Sequence, residues 1–389
     1  MWQTGTIRVA RIGGIAVEIH FTFIAVIFWG AWLGWSLCGG TALAVYWILQ
    51  TLLLFGCVLL HELGHGLQAR GFGLVVRRII LLPFGGIAEL ETPPAYPWQE
   101  LIIALAGPMV NFGLATVLGL IAVISDPFSL RMSVAREALC TPSLTGTTLI
   151  LVGTNLLLFA TNMLPAFPMD GGRVLRAALA LALNYELATR ISSWLGRILA
   201  AGMVLLGFIG WPPAGIPPVP LLVFVGAMIF FGAQQEEIYV RRQRALVRVE
   251  VHELAQRGTS PLAPWDTITH QLAARLFRHD QTLPVVVEER VVGLLTYHDV
   301  RRAHRHLRQT PLTVAHVMRT YFPVLRLSDT LWVALQEMNT YQLAAIPIVE
   351  NGVYQGIVRL DDINHAWRFA VRRRRSPSTL ASGDSVIYD

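Results

Sequence analysis

Residues His61-Glu62-Leu63-Gly64-His65 place two imidazoles four positions apart, with a carboxylate beside the first. On a helix, residues i and i+4 share one face and lie ~6 Å apart along the axis, so both rings can converge on one zinc ion. Glu62 then sits near enough to take a proton from zinc-activated water without itself being a ligand. The five residues follow an apolar run from Thr51 to Leu60. Every ionisable group at bilayer depth costs at least a few kcal/mol, so three within five residues require a partner that neutralises them.

Catalytic zinc takes three protein ligands and keeps one position open. Cys57, one turn before His61, would close that position and reads as packing. Cys38, Cys57 and Cys140 are odd in number, form no CxxC pattern and read as small apolar residues. Asp170 stands in Asn162-Met-Leu-Pro165-Ala-Phe-Pro168-Met-Asp170-Gly171-Gly172-Arg173, directly after an apolar run. Two prolines break the helix and two glycines allow close backbone approach, so irregular backbone presents the carboxylate inside the bundle. Asp170 is the candidate third ligand. Its other reading is a helix N-cap, because a helical pattern follows from Arg173 to Leu183.

The elements that must position these groups come from a chain of 389 residues, 54% hydrophobic and only 14% charged. Soluble domains carry about a quarter charged residues, which excludes a single soluble globule; a disordered chain and a disulfide-stapled secreted domain are excluded as well. Through Val240, 11 Arg balance 11 acidic residues, whereas Arg241 to Asp389 holds 20 Arg against 14 acidic residues and so carries the whole net charge of +6. Lys is absent. Six stretches are apolar enough for spans: Ile19 to Leu37, Ala42 to Ala69, Leu101 to Ile124, Thr147 to Met163, Ile191 to Ile209 and Val219 to Phe231. About six transmembrane helices are therefore expected, in a multi-pass protein of the cell membrane. Arg8, Arg11, Arg70, Arg77, Arg78, Arg173, Arg176, Arg190 and Arg241 to Arg244 fall on one side, and the opposite loops hold chiefly Arg131 and Arg136. The positive-inside rule then puts both termini in the cytoplasm. Met1 to Arg11 lacks the pattern of a removable signal peptide, and none is expected.

Together these segments resemble the site-2 protease family of intramembrane zinc metalloproteases, over roughly residues 8 to 240. His61-Glu62-Leu63-Gly64-His65 matches the family's HExxH, and Pro168-Met169-Asp170-Gly171-Gly172 matches its LDG-type motif with Met169 in place of Leu. Gly107-Pro108-Met109-Val110-Asn111 is similar to its GPxxN segment, and Asn155 matches an asparagine preceding the aspartate motif. Pro83-Phe84-Gly85-Gly86-Ile87-Ala88 looks like its glycine-containing strand beside the active site. The resemblance implies one zinc ion per chain held by His61, His65 and Asp170, with Glu62 as general base. Asn155 and Asn162 are candidates for the oxyanion or substrate backbone, and equally for hydrogen bonds between helices. Gly85 and Gly86 are candidates for a strand edge that pairs with an unwound substrate, or for a reentrant hairpin without that role. The implied substrates are single-span membrane proteins.

Beyond Arg248 the chain repeats itself at an offset of 63 residues. Leu283-Pro284-Val285-Val286 aligns with Ile346-Pro347-Ile348-Val349, Gly293-Leu294-Leu295 with Gly356-Ile357-Val358, and Asp299-Val300 with Asp362-Ile363. Each unit reads as helix, strand, turn, strand, closing helix. The units resemble tandem cystathionine-β-synthase (CBS) domains, which implies a cytosolic α/β module that takes an adenosine nucleotide such as ATP, ADP or AMP. Thr296 and Asp299 match the family's T-x-x-D; the second copy keeps Asp362 but has Arg359 in place of Thr, which suits a more negative phosphate. Asp299 and Asp362 also read as caps of the closing helices. A homodimer through these units is a further expectation.

The expected organisation is thus a polytopic α-helical membrane domain over 1–240, CBS units over 247–307 and 308–370, and a disordered basic tail over 371–389. Regulation by the CBS pair is expected, and no nucleic-acid partner. A CBS-regulated channel or transporter would account for polar groups at membrane depth but has no need of Glu flanked by His at this spacing. A catalytically inactive, membrane-binding protease homologue is the other alternative, against which stands the retention of His61, Glu62, His65 and Asp170.

Overall fold

The computed structural model describes residues 5–83, 85–90, 92–125, 139–210, 217–255, 260–269, 271–272, 276–277, 282–306 and 312–375. The chain divides into two compact units, Met1–Ile238 and Tyr239–Asp389.

The first unit opens with strands β1 (Thr6–Ile12) and β2 (Ile15–His20), then helices α1 (Phe23–Cys38) and α2 (Thr41–Gly71), then strands β3 (Val76–Leu82) and β4 (Gly85–Leu90). The four strands form one sheet in the order β1-β2-β3-β4, antiparallel except for the β2–β3 pair. A parallel pair needs a long crossover, and α1 and α2 supply it. Ile15, Val76, Ile79 and Leu81 pack on Leu63 and Ala69 of α2 and on Ile103 of α3 (Pro97–Ser125), so the sheet grips the half of α2 that carries the histidines. Helices α4 (Leu144–Asn162), α5 (Asp170–Ala180), α6 (Tyr185–Ile209) and α7 (Pro220–Leu246) complete the unit.

Five of these helices, α2, α3, α4, α6 and α7, are long and apolar enough to cross a membrane, and α1 is a shorter apolar helix. Outward-facing Trp29, Trp32, Phe208, Phe224 and Phe231 are exposed on them, as lipid-facing side chains are. The expected first span from Ile19 is corrected: Ile19 and His20 end strand β2, and the helix begins at Phe23. The β-branched alternation Ile15-Ala-Val-Glu-Ile pairs with β1 and β3 before the helix can start. The reading of all three cysteines as plain apolar residues is corrected as well, since Cys140 is disulfide-bonded while Cys57 is free and buried. Arg131 and Arg136 lie outside the described residues.

In the second unit the 63-residue repeat is structural. Strands β5 (Thr282–Val287) and β6 (Arg290–Thr296) form one hairpin, followed by α8 (Tyr297–His306). After helix α9 (Leu331–Tyr341), β7 (Ala345–Glu350) and β8 (Val353–Arg359) form the other, followed by α10 (Leu360–Arg375). Registers and bulges coincide: Leu283 faces Leu295 as Ile346 faces Val358, and the irregularities fall at Val285/Val286 and Ile348/Val349. Helix α10 runs to Arg375, five residues into the stretch expected as a tail; residues 376–389 lie outside the described part.

Candidate active site

His61, Glu62 and His65 are carried two to three turns before the C-terminal end of α2. Asp170 is the first residue of α5, reached by a turn that includes a cis Phe167–Pro168 peptide. The N-cap of that helix is Met169 and not Asp170, which leaves the carboxylate free to turn toward the histidines. Gly171 and Gly172 are required there: a Cβ on Gly171 would lie 2.2 Å from the Leu164 carbonyl oxygen, and one on Gly172 2.7 Å from the Ala166 carbonyl carbon.

His61 Nε2, His65 Nε2 and Asp170 Oδ2 form a triangle with all three edges 3.1 Å. They are the one group of His, Cys, Asp or Glu among the described residues that could hold a metal ion. Edges of this length suit three donors that converge on one ion, and two imidazole nitrogens with a carboxylate oxygen are the donor types zinc takes. The donor set therefore fits zinc with its fourth position open. All three residues are buried. Cys57 is outside the triangle and accepts a hydrogen bond from Asn155 Nδ2 at 3.2 Å.

One face of α3 frames this triangle. Residues 100, 103, 107 and 111 follow at i, i+3, i+7 and i+11, the spacing of a single helical stripe. His65 Nδ1 is 2.7 Å from the Ile103 carbonyl oxygen, and His61 Nδ1 is 2.5 Å from Asn111 Oδ1. A Cβ on Gly107 would lie 2.2 Å from His65 Nε2, so glycine is what lets the ring reach its place. Glu100 accepts from Arg176 of α5 through Nε, at 2.9 Å, and through Nη2. Arg176 also gives Nη1 to Glu236 of α7 at 2.5 Å, and its guanidinium lies over the rings of Phe167 and Tyr185. The helix that begins with Asp170 is thereby fastened to the same α3 face that holds both histidines.

Glu62 lies against β4: a Cβ on Gly86 would come within 2.3 Å of its Cγ. Gly85, with φ +138°, opens β4, and Gly86 pairs with Leu81 of β3, so β4 is an edge strand whose far side has no strand partner among the described residues. Asn162 is half-buried at the end of α4. Asn155 is fully buried, with Nδ2 donating to the Leu151 carbonyl at 2.9 Å and to Cys57, and Oδ1 accepting from Asn111 Nδ2 at 2.8 Å. Of the two roles expected for Asn155, hydrogen bonding between helices is the one this geometry supplies.

In the second unit, Thr296 Oγ1 donates to Asp299 Oδ2 at 2.5 Å and accepts from the Asp299 backbone, while Arg319 Nε donates to the same carboxylate oxygen at 2.8 Å. Asp362 Oδ2 accepts from the Arg359 backbone N–H at 3.3 Å, the reverse of the first copy, where the Asp299 N–H donates to Thr296 Oγ1. Because α8 begins at Tyr297 and α10 at Leu360, the expectation that Asp299 and Asp362 are the N-cap residues is corrected, and both lie inside the first turn. Buried Arg359 Nε and Tyr354 Oη, both on β8, have no hydrogen-bond partner among the described residues.

Comparison with known proteins bears on both units. The model of peptidase family M50 matches residues 49–206, and that of the CBS domain matches 269–306 and 314–368. The zinc metalloprotease MJ0392 of Methanocaldococcus jannaschii is 30% identical over 361 residues, which cover 93% of this chain and 96% of that one. The chain belongs to peptidase family M50. The M50 protein is also 27% identical over 236 residues to stage IV sporulation protein FB of Bacillus subtilis, covering 60% of this chain and 75% of that one. Among solved structures, the site-2 protease from Methanocaldococcus jannaschii aligns with 34% identity over 60% of this chain and 95% of that one, with a TM-score of 0.42. By the family model, the MJ0392 relative and the apolar helices, the enzyme is a zinc metalloprotease of the site-2 type, a multi-pass membrane protein with a CBS pair. Sequence reasoning passed over Glu100 and Ile103, counted Arg176, which is instead buried inside α5, only among the loop arginines that set the orientation, and noted Gly107 and Asn111 only as part of a motif. Their partners lie 38 to 76 residues away, and no local spacing points to them.

Proposed function

We propose that this enzyme hydrolyses peptide bonds of single-span membrane proteins within the bilayer, with one zinc per chain held by His61, His65 and Asp170. The observation that carries this reading is the 3.1 Å triangle of two imidazole nitrogens and a carboxylate oxygen, buried among apolar helices and next to Glu62. Zinc held by these three residues would supply Lewis acidity, activating water for attack and polarising the scissile carbonyl. Glu62 accepts the proton of the attacking water and returns it to the leaving amine. Gly86 leaves the Glu62 side chain its place beside β4. A helical substrate hides its carbonyls in its own hydrogen bonds, so it must be unwound, and the open edge of β4 beginning at Gly85 and Gly86 offers backbone groups for the extended segment to pair with. Asn162 is the candidate donor to the developing oxyanion or to substrate backbone.

The disulfide at Cys140, in the connection after α3, supports an oxidising compartment on the side opposite the arginine-rich loops, and hence cytoplasmic termini in the cell membrane. The CBS pair then faces the cytosol, where it senses an adenosine nucleotide through Thr296, Asp299, Arg359 and Asp362 and brings two chains together. The unpartnered Arg359 Nε is the observation that favours a phosphate there.

The test compares the purified protein with Glu62→Gln, measuring bound zinc and cleavage of single-span substrates. Zinc in both with cleavage only in the parent is expected. Zinc in both with cleavage in neither would leave an inactive homologue, and zinc in neither would overturn the metal site.

A further inference from the structure

Two hydrogen bonds decide which nitrogens of the histidines face one another. For His65 a single contact is enough, because the Ile103 carbonyl oxygen 2.7 Å from Nδ1 can only accept. Nδ1 therefore carries the proton, and Nε2 turns a lone pair toward Asp170. For His61 the partner of Nδ1 is the side-chain amide of Asn111, which offers an acceptor on one end and a donor on the other. The wrong end would force the proton onto Nε2, where it would block the metal.

We infer that the Asn111 amide is held in one orientation by hydrogen bonds running through Asn155 to the Leu151 carbonyl, and that Asn111 is thereby the positioning residue that sets the tautomer of His61. The proposal rests on the zinc site of the proposed function. The Leu151 carbonyl, at the far end of the relay, can only accept, so the Asn155 end 2.9 Å from it is the amide nitrogen, which also donates to Cys57 Sγ at 3.2 Å. Asn155 Oδ1 then faces Asn111 and takes a hydrogen bond from Nδ2 at 2.8 Å. That leaves Asn111 Oδ1 facing His61 at 2.5 Å, where Nδ1–H donates to it. Asn111 and Asn155 are both completely buried, so water does not compete for either amide. A backbone oxygen of α4 thus fixes the proton on a ring of α2, through side chains of α4 and α3.

The decisive variants change the freedom of the Asn111 amide and leave every proposed ligand in place. Asn155→Leu releases the Asn111 amide to turn its nitrogen toward His61. Adding Asn111→Asp removes that freedom, because a carboxylate presents an acceptor in either orientation. Zinc affinity of the full-length protein in detergent, measured by competition with a chromophoric chelator, is expected to fall about 10- to 100-fold in Asn155→Leu. It is expected to return to within a few fold of wild type in Asn155→Leu/Asn111→Asp. If the two asparagines served packing alone, the double variant would bind zinc no better than Asn155→Leu. Melting temperatures of the zinc-free forms separate loss of the site from loss of the fold, and Asn155→Ala replaces Asn155→Leu should the larger side chain not be accommodated. Wild-type affinity in Asn155→Leu, or no recovery in the double variant, overturns the relay while leaving the enzyme reading intact; wild-type protein that takes up no zinc overturns both.

Discussion

Beyond Gly171 and Gly172, Gly86 and Gly107 also leave no room for a methyl group, and the failures at these two should look different. Gly107→Ala places its Cβ 2.2 Å from His65 Nε2, the atom that faces the metal, so the ring must move. Zinc affinity is expected to fall at least about tenfold, read by chelator competition. Gly86→Ala instead displaces Glu62, with its Cβ 2.3 Å from Cγ. Zinc is expected to remain bound while kcat falls by about 10²-fold, since a general base misplaced by about 1 Å loses that much. Equal loss of zinc in both variants would mean that β4 supports the ligands rather than the base. The HExxH pair and Asp170 are legible in the sequence because their types and spacing state the chemistry. Gly86 and Gly107 are legible only as members of motifs; the room each makes is not, because the side chain it accommodates belongs to a different element.

Among the elements, α3 contributes none of the three proposed ligands yet touches the arrangement of all three. Its link to Asp170 runs through the buried ion pair of Glu100 with Arg176, whose third partner is Glu236. Removing one partner of a buried pair leaves an uncompensated charge, at a cost of about 3–5 kcal/mol. Arg176→Met is therefore expected to lower the melting temperature sharply, and Glu100→Gln in the same chain to restore part of the loss. The repeated hairpins permit a gentler test. Asn351 and Gly352 turn the second with positive φ, and Glu288 and Glu289 do the same in the first at φ 49° and 66°. Left-handed backbone costs a residue with a side chain about 1–2 kcal/mol, so Glu289→Gly, which copies the second hairpin, is expected to raise stability by roughly 1 kcal/mol in thermal unfolding of the CBS unit. A drop in stability would show that the Glu289 side chain has contacts worth more than the strain. The 63-residue offset was visible in the sequence, and the strand registers repeat it residue for residue.

For the whole molecule, the metal triangle and the CBS pair belong to separate units with separate cores. A ligand that binds only the folded CBS pair adds RT ln(1 + [L]/Kd), about 2.7 kcal/mol at 100 times Kd. ATP or AMP is therefore expected to raise the melting temperature by several degrees, and Asp299→Ala or Arg359→Leu to reduce that shift. Destabilisation by Asp299→Ala with the nucleotide shift unchanged would leave Asp299 as a structural acceptor for Thr296 and Arg319. The division into an apolar unit and a basic one is visible in where the arginines fall, and along the chain the first compact unit ends at Ile238.

By itself the sequence determined the features set by local spacing and composition: the spans, the HExxH pair, the aspartate at a broken helix and the internal repeat. Each depends on residues a few positions apart or on a period that survives without knowing the fold. Tertiary structure alone decided what closes around those residues. The α3 stripe, the Arg176 junction and the Asn155–Asn111 chain join positions 38 to 76 residues apart, and hydrogen-bond direction exists only once both partners are in place. That direction is why a carbonyl on one helix can govern a proton on another.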